Sequence, residues 1–335
     1  MTDKLLTQLE QVQGRRVLIV GDIVADQFVY GHAGRVSREA PVLVLEHERE
    51  KMVLGGAANA AHNVKALGGV PLLVGIVGDD DPGSQVLSYM ESQGIDTQFI
   101  LRSSKRPTTT KLRIVASGLH TTYQQMLRID RGNRAPLDAD EEKQLLDELD
   151  RAAGKCQVMI ASDYGYGVFS ESVITRVSAI GQSEWCKVLV DSRQRMLQFQ
   201  GAYLLTPNEP EASAACHMDI RSDDDVAQAA GRVAHGANAQ AVVVTRGKHG
   251  MYLLDSDGKG HYLPIYGTDE IADVTGAGDT VIAAFALAAA AGVDLPEAAR
   301  LATVAAGLAV LKQGTATVTP AEIKTALENQ PWPAS

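Results

Sequence analysis

The stretch Asp273-Val-Thr-Gly-Ala-Gly-Asp-Thr280 leads directly into a long apolar segment that begins at Val281. Small residues at 276–278 allow the backbone to turn tightly, and the helix predicted after them directs the positive end of its dipole to the same point. The stretch therefore predicts an anion hole suited to a phosphoryl group, with Asp279 placed to accept the proton of an attacking hydroxyl. On spacing alone, an Asp cap over an ordinary glycine turn explains the stretch equally well.

Short apolar runs and helical segments alternate along the chain before this stretch. The runs are 16–21, 72–77, 158–161, 188–191, 202–206 and 241–245. The helical segments are 57–67, 83–93, 139–152, 170–180, 209–217 and 223–234. Such alternation predicts βαβ units, and strands that are apolar throughout indicate a mostly parallel sheet buried between helices on both faces.

Two stretches, 41–52 and 97–130, interrupt this alternation with extended, β-branched segments that no helix follows immediately. We expect a small antiparallel sheet inserted into the main domain, forming a lid from about 26–54 and 97–130. The same strands are equally suited to dimerisation through an exposed sheet edge, and we expect a homodimer through the lid. One domain then covers 1–330, followed by a frayed tail at 331–335.

Composition limits the classes of function. The chain has 335 residues, 45% hydrophobic and 21% charged, with a formal net charge of −10. These values are typical of a soluble globular protein, and the acidic balance argues against a general nucleic-acid binder. The first 14 residues lack the apolar core of a signal peptide, and the apolar run 281–293 is too short to span a bilayer. Three widely spaced cysteines predict free thiols, so we expect a cytoplasmic protein without nucleic-acid or membrane partners.

Two glycine-rich motifs resemble the signatures of a known enzyme family. The motif that ends at Asp279 is similar to the C-terminal signature of the ribokinase-like (PfkB) carbohydrate kinases, and Gly55-Gly-Ala-Ala-Asn-Ala-Ala61 resembles their N-terminal signature. The resemblance covers essentially the whole chain. It implies a ribokinase-like three-layer α/β sandwich with a lid sheet, phosphorylation of a sugar, and ATP with Mg²⁺ as cofactors. It leaves a monovalent-cation requirement open.

The resemblance implies roles around the sugar and the transferred phosphoryl group. Asp279 is the catalytic base, Gly55 and Gly56 hinge the lid and let the sugar approach the backbone, and Asp26 and Asn59 hydrogen-bond sugar hydroxyls. The γ-phosphate is held by the N–H groups of Gly276, Ala277 and Gly278. Taken alone, Asp26 is equally a loop cap and Asn59 a solvated helical residue.

The resemblance also implies a nucleotide site. Asn208-Glu-Pro-Glu211 matches the family's Asn-x-x-Glu motif, whose Glu helps to place Mg²⁺ through water, although a helix start enriched in Glu is the alternative. Thr245-Arg-Gly247 resembles the nucleotide-phosphate loop, and 305–315 resembles the segment beside the adenine ring, where ordinary helix packing is the alternative. The implied ATP contacts are Asn208, Thr245, Gly247, Gly250, Gly307 and Gly314, and the implied metal contact is Glu211.

Further segments resemble the kinases that phosphorylate C1 of D-glycero-D-manno-heptose 7-phosphate to the 1,7-bisphosphate in lipopolysaccharide core synthesis. They are Arg35-Val-Ser-Arg-Glu-Ala-Pro41, Pro107-Thr-Thr-Thr-Lys-Leu-Arg113, Gln124-Gln-Met-Leu-Arg-Ile-Asp130, Ser162-Asp-Tyr-Gly-Tyr-Gly167 and Gly314-Thr-Ala-Thr317. An acceptor that already carries phosphate needs cationic contacts. The candidate substrate residues are Lys111, Arg113, Arg128, Asp163, Arg193 and Arg195. For each cation a solvated surface charge is the alternative.

Two positions depart from that subgroup. Tyr166 stands where Lys is expected, and Asp191-Ser-Arg-Gln194 replaces Asp-Pro-Lys-Gly, with Arg193 as a substitute charge. The identity of the substrate therefore stays open. It is equally another phosphosugar, or the substrate of a ribokinase, fructokinase or ketodeoxygluconate kinase. A non-catalytic sugar- or nucleotide-sensing protein is the alternative from another class. A dinucleotide-dependent oxidoreductase is disfavoured, because this sequence lacks a G-x-G-x-x-G motif after the first predicted strand. We expect no fused nucleotidyltransferase domain, so that adenylyl transfer requires a separate protein.

Overall fold

The computed structural model describes residues 2–117, 123–183, 185–267 and 273–332. Residues 118–122 of the predicted lid and 333–335 of the predicted tail lie outside them. The helices are α1 (Thr2–Gln11), α2 (Ala57–Ala66), α3 (Asp81–Ser92), α4 (Ala139–Ala153), α5 (Glu171–Gly181), α6 (Glu209–Cys216), α7 (Asp223–Gly236), α8 (Ala277–Ala290), α9 (Leu295–Ala309) and α10 (Pro320–Asn329). The strands are β1 (Arg16–Gly21), β2 (Ile23–Val36), β3 (Leu43–Gly56), β4 (Val70–Gly78), β5 (Ile100–Ser103), β6 (Thr109–Ser117), β7 (Gln124–Arg131), β8 (Val158–Asp163), β9 (Lys187–Ser192), β10 (Leu204–Leu205), β11 (Ala241–Thr245), β12 (Met251–Leu254) and β13 (Gly260–Leu263).

Within the described residues, nine strands form the central sheet in the order β13-β12-β11-β10-β9-β8-β1-β4-β5. The strands from β11 to β5 in that order run parallel, and only β12 and β13 pair antiparallel at one edge. The mostly parallel sheet is therefore confirmed. Strands β12 and β13 at one edge were not predicted. The lid prediction for 97–130 is corrected in its first part, because β5 pairs with β4 at the other edge of the central sheet.

Side chains of the central strands alternate between two apolar clusters. Val17 and Ile19 of β1 pack with α1, α2, α3, α8, α9 and α10, whereas Leu18 and Val20 pack with α4–α7 on the opposite face. The three-layer prediction is confirmed, because both sheet faces are covered by helices. This double cover also explains why the strands are apolar throughout.

Helix α1 was not predicted, because its composition is mostly polar. Leu5 and Leu9 are buried one helical turn apart and pack into the core on the same face as α8. The four-residue spacing of these two leucines is the feature of the sequence that could have predicted the helix. No helix in the described part of the chain is long and apolar enough to cross a bilayer.

A second, four-stranded sheet in the order β3-β2-β6-β7 forms the predicted lid. The outer pairs β2–β3 and β6–β7 are antiparallel, as predicted, while the central pair β2–β6 is parallel. The lid joins the main sheet where β3 runs into α2 at Gly56, which has a φ of 57°. A side chain at Gly56 would place its Cβ 2.3 Å from the Asp22 carbonyl oxygen, so this junction requires glycine.

Candidate active site

The site lies at the carboxyl edge of the parallel strands, where chemistry-bearing loops of such sheets meet. Tyr164 follows β8 and Arg193 follows β9, while Thr245 ends β11. Helix α8 begins at the same edge, with Gly276 as its N-terminal cap at a φ of 83°. At Gly278 an added Cβ would meet nothing within 4 Å, so the first turn of α8 opens onto free space.

Asp279 lies in that first turn and is almost completely buried. One carboxylate oxygen, Oδ2, accepts a hydrogen bond from Asn59 Nδ2 at 2.6 Å, and Oδ1 accepts one from the Tyr164 hydroxyl at 3.1 Å. Burial raises the pKa of Asp279 to about 6, although both hydrogen bonds and the charges of Lys111 and Arg193 lower it. At neutral pH the carboxylate is therefore mostly ionised and more basic than an exposed one, as a general base requires.

The position of Asn59 corrects its predicted role. Its side chain is fully buried, and its amide nitrogen donates to Asp279 rather than facing a cavity. Its carbonyl oxygens accept from Asn63, whose own side-chain oxygen accepts from Thr280. Asn59 thus holds the Asp279 carboxylate from behind and is not among the residues that line the cavity in front of it. Gly276 permits this approach, because a Cβ there would lie 2.7 Å from Asn59 Nδ2.

A polar cavity of about 370 Å³ opens in front of Asp279. It is lined by residues from the lid, the α8 loop and the strand ends. Its cations are Lys111, Arg113, Arg128, Arg134 and Arg193. Its carboxylates are Asp26, Asp130, Asp191, Glu211 and Asp279. The predicted sugar residues Gly55 and Gly56 and the phosphate-loop residues Gly276 and Gly278 also line it.

Two of these cations have carboxylate partners. Arg113 pairs with Asp26, which is itself buried, and Arg128 forms a two-pronged contact with Asp130 at 2.8 and 3.0 Å. Gly55 makes room for Asp26, because a Cβ there would lie 2.9 Å from the Asp26 Oδ2 atom. The Asp26–Arg113 pair therefore forms part of the cavity wall beside the lid junction.

The other three cations lie over tyrosine rings. Arg193 is 4.4 Å from the centre of the Tyr164 ring, Lys111 is 5.3 Å from it, and Arg134 is 5.5 Å from the Tyr166 ring. No described carboxylate lies within 4.0 Å of the charged nitrogens of these three side chains. Burial lowers the pKa of Lys111. Because Lys111, Arg134 and Arg193 have no described carboxylate in contact, the polar cavity carries positive charge that the described part of the protein does not neutralise directly.

Arg134 was missed by the sequence analysis. It lies between β7 and α4, in a segment that Arg106 secures by donating to the carbonyl oxygens of Ala135 and Pro136 at 3.2 and 3.1 Å. Its stacking on Tyr166 supplies a positive charge beside the position where the sequence departs from the heptose-kinase pattern. The feature of the sequence that could have indicated Arg134 is the basic loop between the lid strand β7 and helix α4.

The predicted substrate residues Asp163 and Arg195 are not part of the cavity lining. Arg195 Nη2 donates to Asp163 Oδ1 at 2.6 Å, and Ser192 Oγ donates to Asp163 Oδ2 at 2.7 Å. Arg195 also donates to the Phe169 carbonyl oxygen. Since a buried carboxylate needs such partners, this pair supports the loops behind the cavity, and the predicted sugar contacts are corrected accordingly.

Asp22 is a second residue that the sequence analysis missed. Its buried carboxylate accepts from the backbone N–H groups of Tyr164, Tyr166 and Val168 at 2.8, 3.1 and 3.2 Å. Burial, with a contribution from Asp163, raises the pKa of Asp22 to about 6 against these hydrogen bonds. Asp22 thus fixes the loop that presents Tyr164 to Asp279. The signal was a carboxylate placed directly after the first strand.

An apolar cavity of about 400 Å³ adjoins the polar one, and the two share Asn208, Thr245, Val274 and Gly278. Most of its remaining lining is apolar or glycine, as a flat aromatic ring requires. The predicted nucleotide residues that line it are Asn208, Thr245, Gly247, Gly250 and Gly307. Gly314 is not among them: its N–H donates to Asp273 Oδ2 at 3.0 Å and so supports the loop before α8, which corrects that prediction.

The wall of the apolar cavity includes Tyr266. Its ring stacks on Trp332 with 6.2 Å between ring centres and 3° between planes, and its hydroxyl donates to the Gln330 carbonyl oxygen at 2.7 Å. Gly307 packs against the same tyrosine, because a Cβ there would lie 2.4 Å from the Tyr266 carbonyl oxygen. Residues after α10 therefore help to shape this cavity.

The metal candidate Glu211 has a structural contact as well as a place in the polar cavity. Asn208 and Glu211 cap the start of α6 reciprocally at 2.8 and 3.0 Å. Burial raises the pKa of Glu211. No group of three metal-type side chains occurs among the described residues. A hard cation here fits a site in which Glu211 supplies one ligand, directly or through water, and phosphate oxygens supply others.

Comparison with known proteins decides the family. The model of the pfkB family carbohydrate kinases matches residues 15–322 of this chain. The chain belongs to the pfkB family. It is a carbohydrate kinase, and sugar kinases of this family use ATP and Mg²⁺.

Curated pfkB relatives match over nearly all of this chain. It is 40% identical over 307 residues to the bifunctional protein HldE of Geobacter sulfurreducens, covering 91% of this chain and 61% of the relative. It is also 40% identical over 327 residues to the bifunctional protein HldE of Paramagnetospirillum magneticum, covering 97% and 66%. The chain thus spans about three fifths to two thirds of the length of these relatives.

Solved structures of pfkB kinases share the fold. Phosphofructokinase-2 from Escherichia coli in complex with potassium has a TM-score of 0.77 at 19% identity, covering 95% of this chain and 99% of that one. Ribokinase from Arabidopsis thaliana, complexed with ribose and ATP, has a TM-score of 0.73 at 19% identity, covering 94% and 99%. At this identity the likeness supports the architecture and not the choice of sugar.

Proposed function

We propose that this pfkB kinase transfers the γ-phosphoryl group of MgATP to a hydroxyl of a sugar that already carries phosphate. The observation that carries the proposal is the group of three cations, Lys111, Arg134 and Arg193, that face the same cavity as Asp279 without a described carboxylate in contact. A neutral sugar needs no such charge, whereas a phosphate group pairs well with arginine and lysine.

D-glycero-D-manno-heptose 7-phosphate, phosphorylated at C1 to the 1,7-bisphosphate, is the substrate we favour. The support is the 40% identity to bifunctional HldE proteins across almost the whole chain. Because the chain spans only part of those relatives, the proposal extends to the kinase step and not to their second activity. The product would serve as a precursor of the lipopolysaccharide core.

Each step of the transfer has a residue suited to it. Asp279 accepts the proton of the acceptor hydroxyl, since it is buried, mostly ionised at neutral pH and open to the polar cavity. The N–H groups of Gly276 and Gly278, which line the polar cavity, donate to the oxygens on which charge develops, whereas the predicted role of Ala277 is corrected because its N–H donates to the Val274 carbonyl oxygen at 3.2 Å. Asp26 and Arg113 bind sugar hydroxyls, and the lid that carries them excludes water.

The nucleotide fits the apolar cavity, with its adenine against the Tyr266 side and its phosphates toward Gly278. Mg²⁺, when bound, would neutralise charge on those phosphates, and Glu211, which lines the polar cavity, would help to hold it. The proposed cofactors include a monovalent cation, because the structurally similar phosphofructokinase-2 was solved in complex with potassium. Comparing rates in potassium and tetramethylammonium salts tests that part of the proposal separately.

The lid also suits assembly of a homodimer. Val36, Val42 and Leu43 are about half exposed on its strands β2 and β3 and on the turn between them. Apolar side chains on an exposed sheet favour pairing with a second copy. Light scattering coupled to size exclusion tests this part, and a monomer at micromolar concentration would contradict it.

A panel of acceptors tests the substrate. We expect ATP consumption with D-glycero-D-manno-heptose 7-phosphate and far less with the unphosphorylated heptose, ribose, fructose or 2-keto-3-deoxygluconate. Turnover only with unphosphorylated sugars would contradict a phosphorylated acceptor, and no ATP consumption with any sugar would favour a sensing protein. Within the same assay, Asp279→Asn should lose most of kcat while ATP binding persists.

A further inference from the structure

Tyr164 is the hydroxyl-bearing side chain in direct contact with the carboxylate of Asp279. Its hydroxyl donates to Asp279 Oδ1 at 3.1 Å, opposite the Asn59 amide that donates to Oδ2 at 2.6 Å. The loop that carries Tyr164 is fixed from below, because Asp22 accepts from the N–H groups of both Tyr164 and Tyr166. The position of the Tyr164 hydroxyl beside Asp279 is therefore fixed by the hydrogen bonds that the loop backbone makes to Asp22.

The ring of Tyr164 also lies beneath two cations of the polar cavity. Arg193 is 4.4 Å and Lys111 is 5.3 Å from its centre. Burial and the charge of Asp279 raise the pKa of Tyr164 well above its usual value. The hydroxyl consequently keeps its proton over the whole working pH range and remains a hydrogen-bond donor.

We propose that Tyr164 is a positioning residue for the base: its hydroxyl holds one oxygen of Asp279 in a fixed orientation and favours the ionised carboxylate. This proposal rests on the proposed function and deepens it. A carboxylate can accept about four hydrogen bonds, so the bonds from Tyr164 and Asn59 leave lone pairs free for the acceptor hydroxyl. Without Tyr164, Oδ1 loses its donor, and the carboxylate can rotate about its terminal torsion.

Other charged groups also act on Asp279 and remain unchanged in the test. Lys111 of β6 and Arg193 after β9 lower the pKa of Asp279, and Asp191 of β9 interacts with Asp279 as a like charge. Asp191 lies beside the same cavity, and burial raises its pKa as well. Since Tyr164→Phe alters none of these charges, a change in the titration of Asp279 reports the lost hydroxyl.

The experiment is the pH profile of kcat/KM for wild type and Tyr164→Phe between pH 5 and 9. The base must be ionised, so activity falls as the pH drops through its pKa, and the loss of a donor to the carboxylate raises that pKa. For one hydrogen bond to a charged group we expect kcat/KM at pH 5 to fall on the order of tenfold relative to wild type. At pH 9, where the base is ionised in both enzymes, the loss should be smaller than at pH 5, because only the freer orientation of the carboxylate then lowers the rate.

Tyr166→Phe is the matched control, because it removes a hydroxyl from the same loop that has no bond to Asp279. Its acid midpoint should equal that of wild type. The proposal is overturned if the Tyr164→Phe profile superimposes on wild type. It is equally overturned if kcat/KM falls by one factor at every pH, which is the pattern of a merely structural role. Thermal melting of each variant verifies the fold.

A second measurement does not depend on turnover. Carboxyl ¹³C titration of aspartate-labelled protein follows Asp279 directly, with Asp279→Asn identifying its signal. The midpoint should be higher in Tyr164→Phe than in wild type, and equal midpoints would refute the role of Tyr164. A raised midpoint in a protein that phosphorylates no sugar would instead leave Tyr164 in place and remove the proposed function.

Discussion

Replacing Asp279 with asparagine should stabilise this protein at pH 8 while it abolishes catalysis. The carboxylate is almost fully buried, and its pKa is raised from the usual 3.8 to about 6. A carboxyl whose pKa is raised on folding holds a proton more tightly in the native state than in the unfolded chain. Its contribution to stability is therefore lost as the pH rises from about 4 to about 6.

The size of the effect follows from the shift. A rise from 3.8 to about 6 corresponds to roughly 3 kcal/mol of unfolding free energy lost above pH 7, and to about half of that at pH 5. The asparagine of the Asp279→Asn variant has no charge to bury, and its amide group can pair with both Asn59 and Tyr164. For a chain of 335 residues, roughly 3 kcal/mol corresponds to an increase in Tm of about 4 °C.

Melting curves at pH 5 and pH 8 test this prediction. The gain in Tm for Asp279→Asn should be larger at pH 8 than at pH 5. The control is Asp257→Asn, since that side chain is about three quarters exposed and should shift Tm little at either pH. A variant that is destabilised at pH 8, or a gain that does not depend on pH, would refute the view that burial of the ionised base destabilises the fold.

Three further predictions concern the cavities. Gly276→Ala should lower Tm and kcat, because Gly276 has a positive φ and an added Cβ would lie 2.7 Å from the buried amide nitrogen of Asn59. Gly278→Ala has free space around its Cβ and should keep the Tm of wild type. Equal Tm values for the two variants would contradict this prediction. Arg134→Ala should raise KM for a phosphorylated acceptor about tenfold and leave KM for ATP unchanged, which steady-state kinetics can check. Trp332→Ala should raise KM for ATP severalfold through the tyrosine on which it stacks, while Trp185→Ala, about half exposed, should not. Similar KM values for the two tryptophan variants would argue against any influence of the C-terminal residues on the nucleotide cavity.

The architecture was predictable because its signals are local. The apolar runs that became β1, β4, β8, β9, β10 and β11 are buried on both faces, and the helices between them begin with the capping residues that the sequence displays. Strands β12 and β13 at one edge of the central sheet were not predicted, since β12 has only four residues and β13 is partly exposed and carries polar and aromatic residues. Tertiary pairing, rather than local pattern, makes them strands.

The site was predictable to the extent that motifs carry it. Asp279 and the small residues before it lie where the glycine motif predicted, at the start of α8. Asn59, Asp163 and Gly314 do not line the cavities in which contacts were predicted for them, because the side chain or N–H group of each pairs with a residue distant in sequence. Such pairings depend on the packing of separate elements, which spacing in one chain segment does not reveal.

The charges of the polar cavity explain why a buried base can work beside anionic ligands. A phosphate arriving near Asp279 adds negative charge, which by itself would raise the pKa of the carboxyl further and leave it protonated. Lys111 and Arg193 oppose this, since both already lower that pKa and both line the cavity in which the anion would bind. The same two cations lie over the Tyr164 ring, whose hydroxyl also favours the ionised form. In the proposed reaction, binding of the anionic acceptor and ionisation of Asp279 would therefore depend on the same side chains, which makes the two compatible in this cavity.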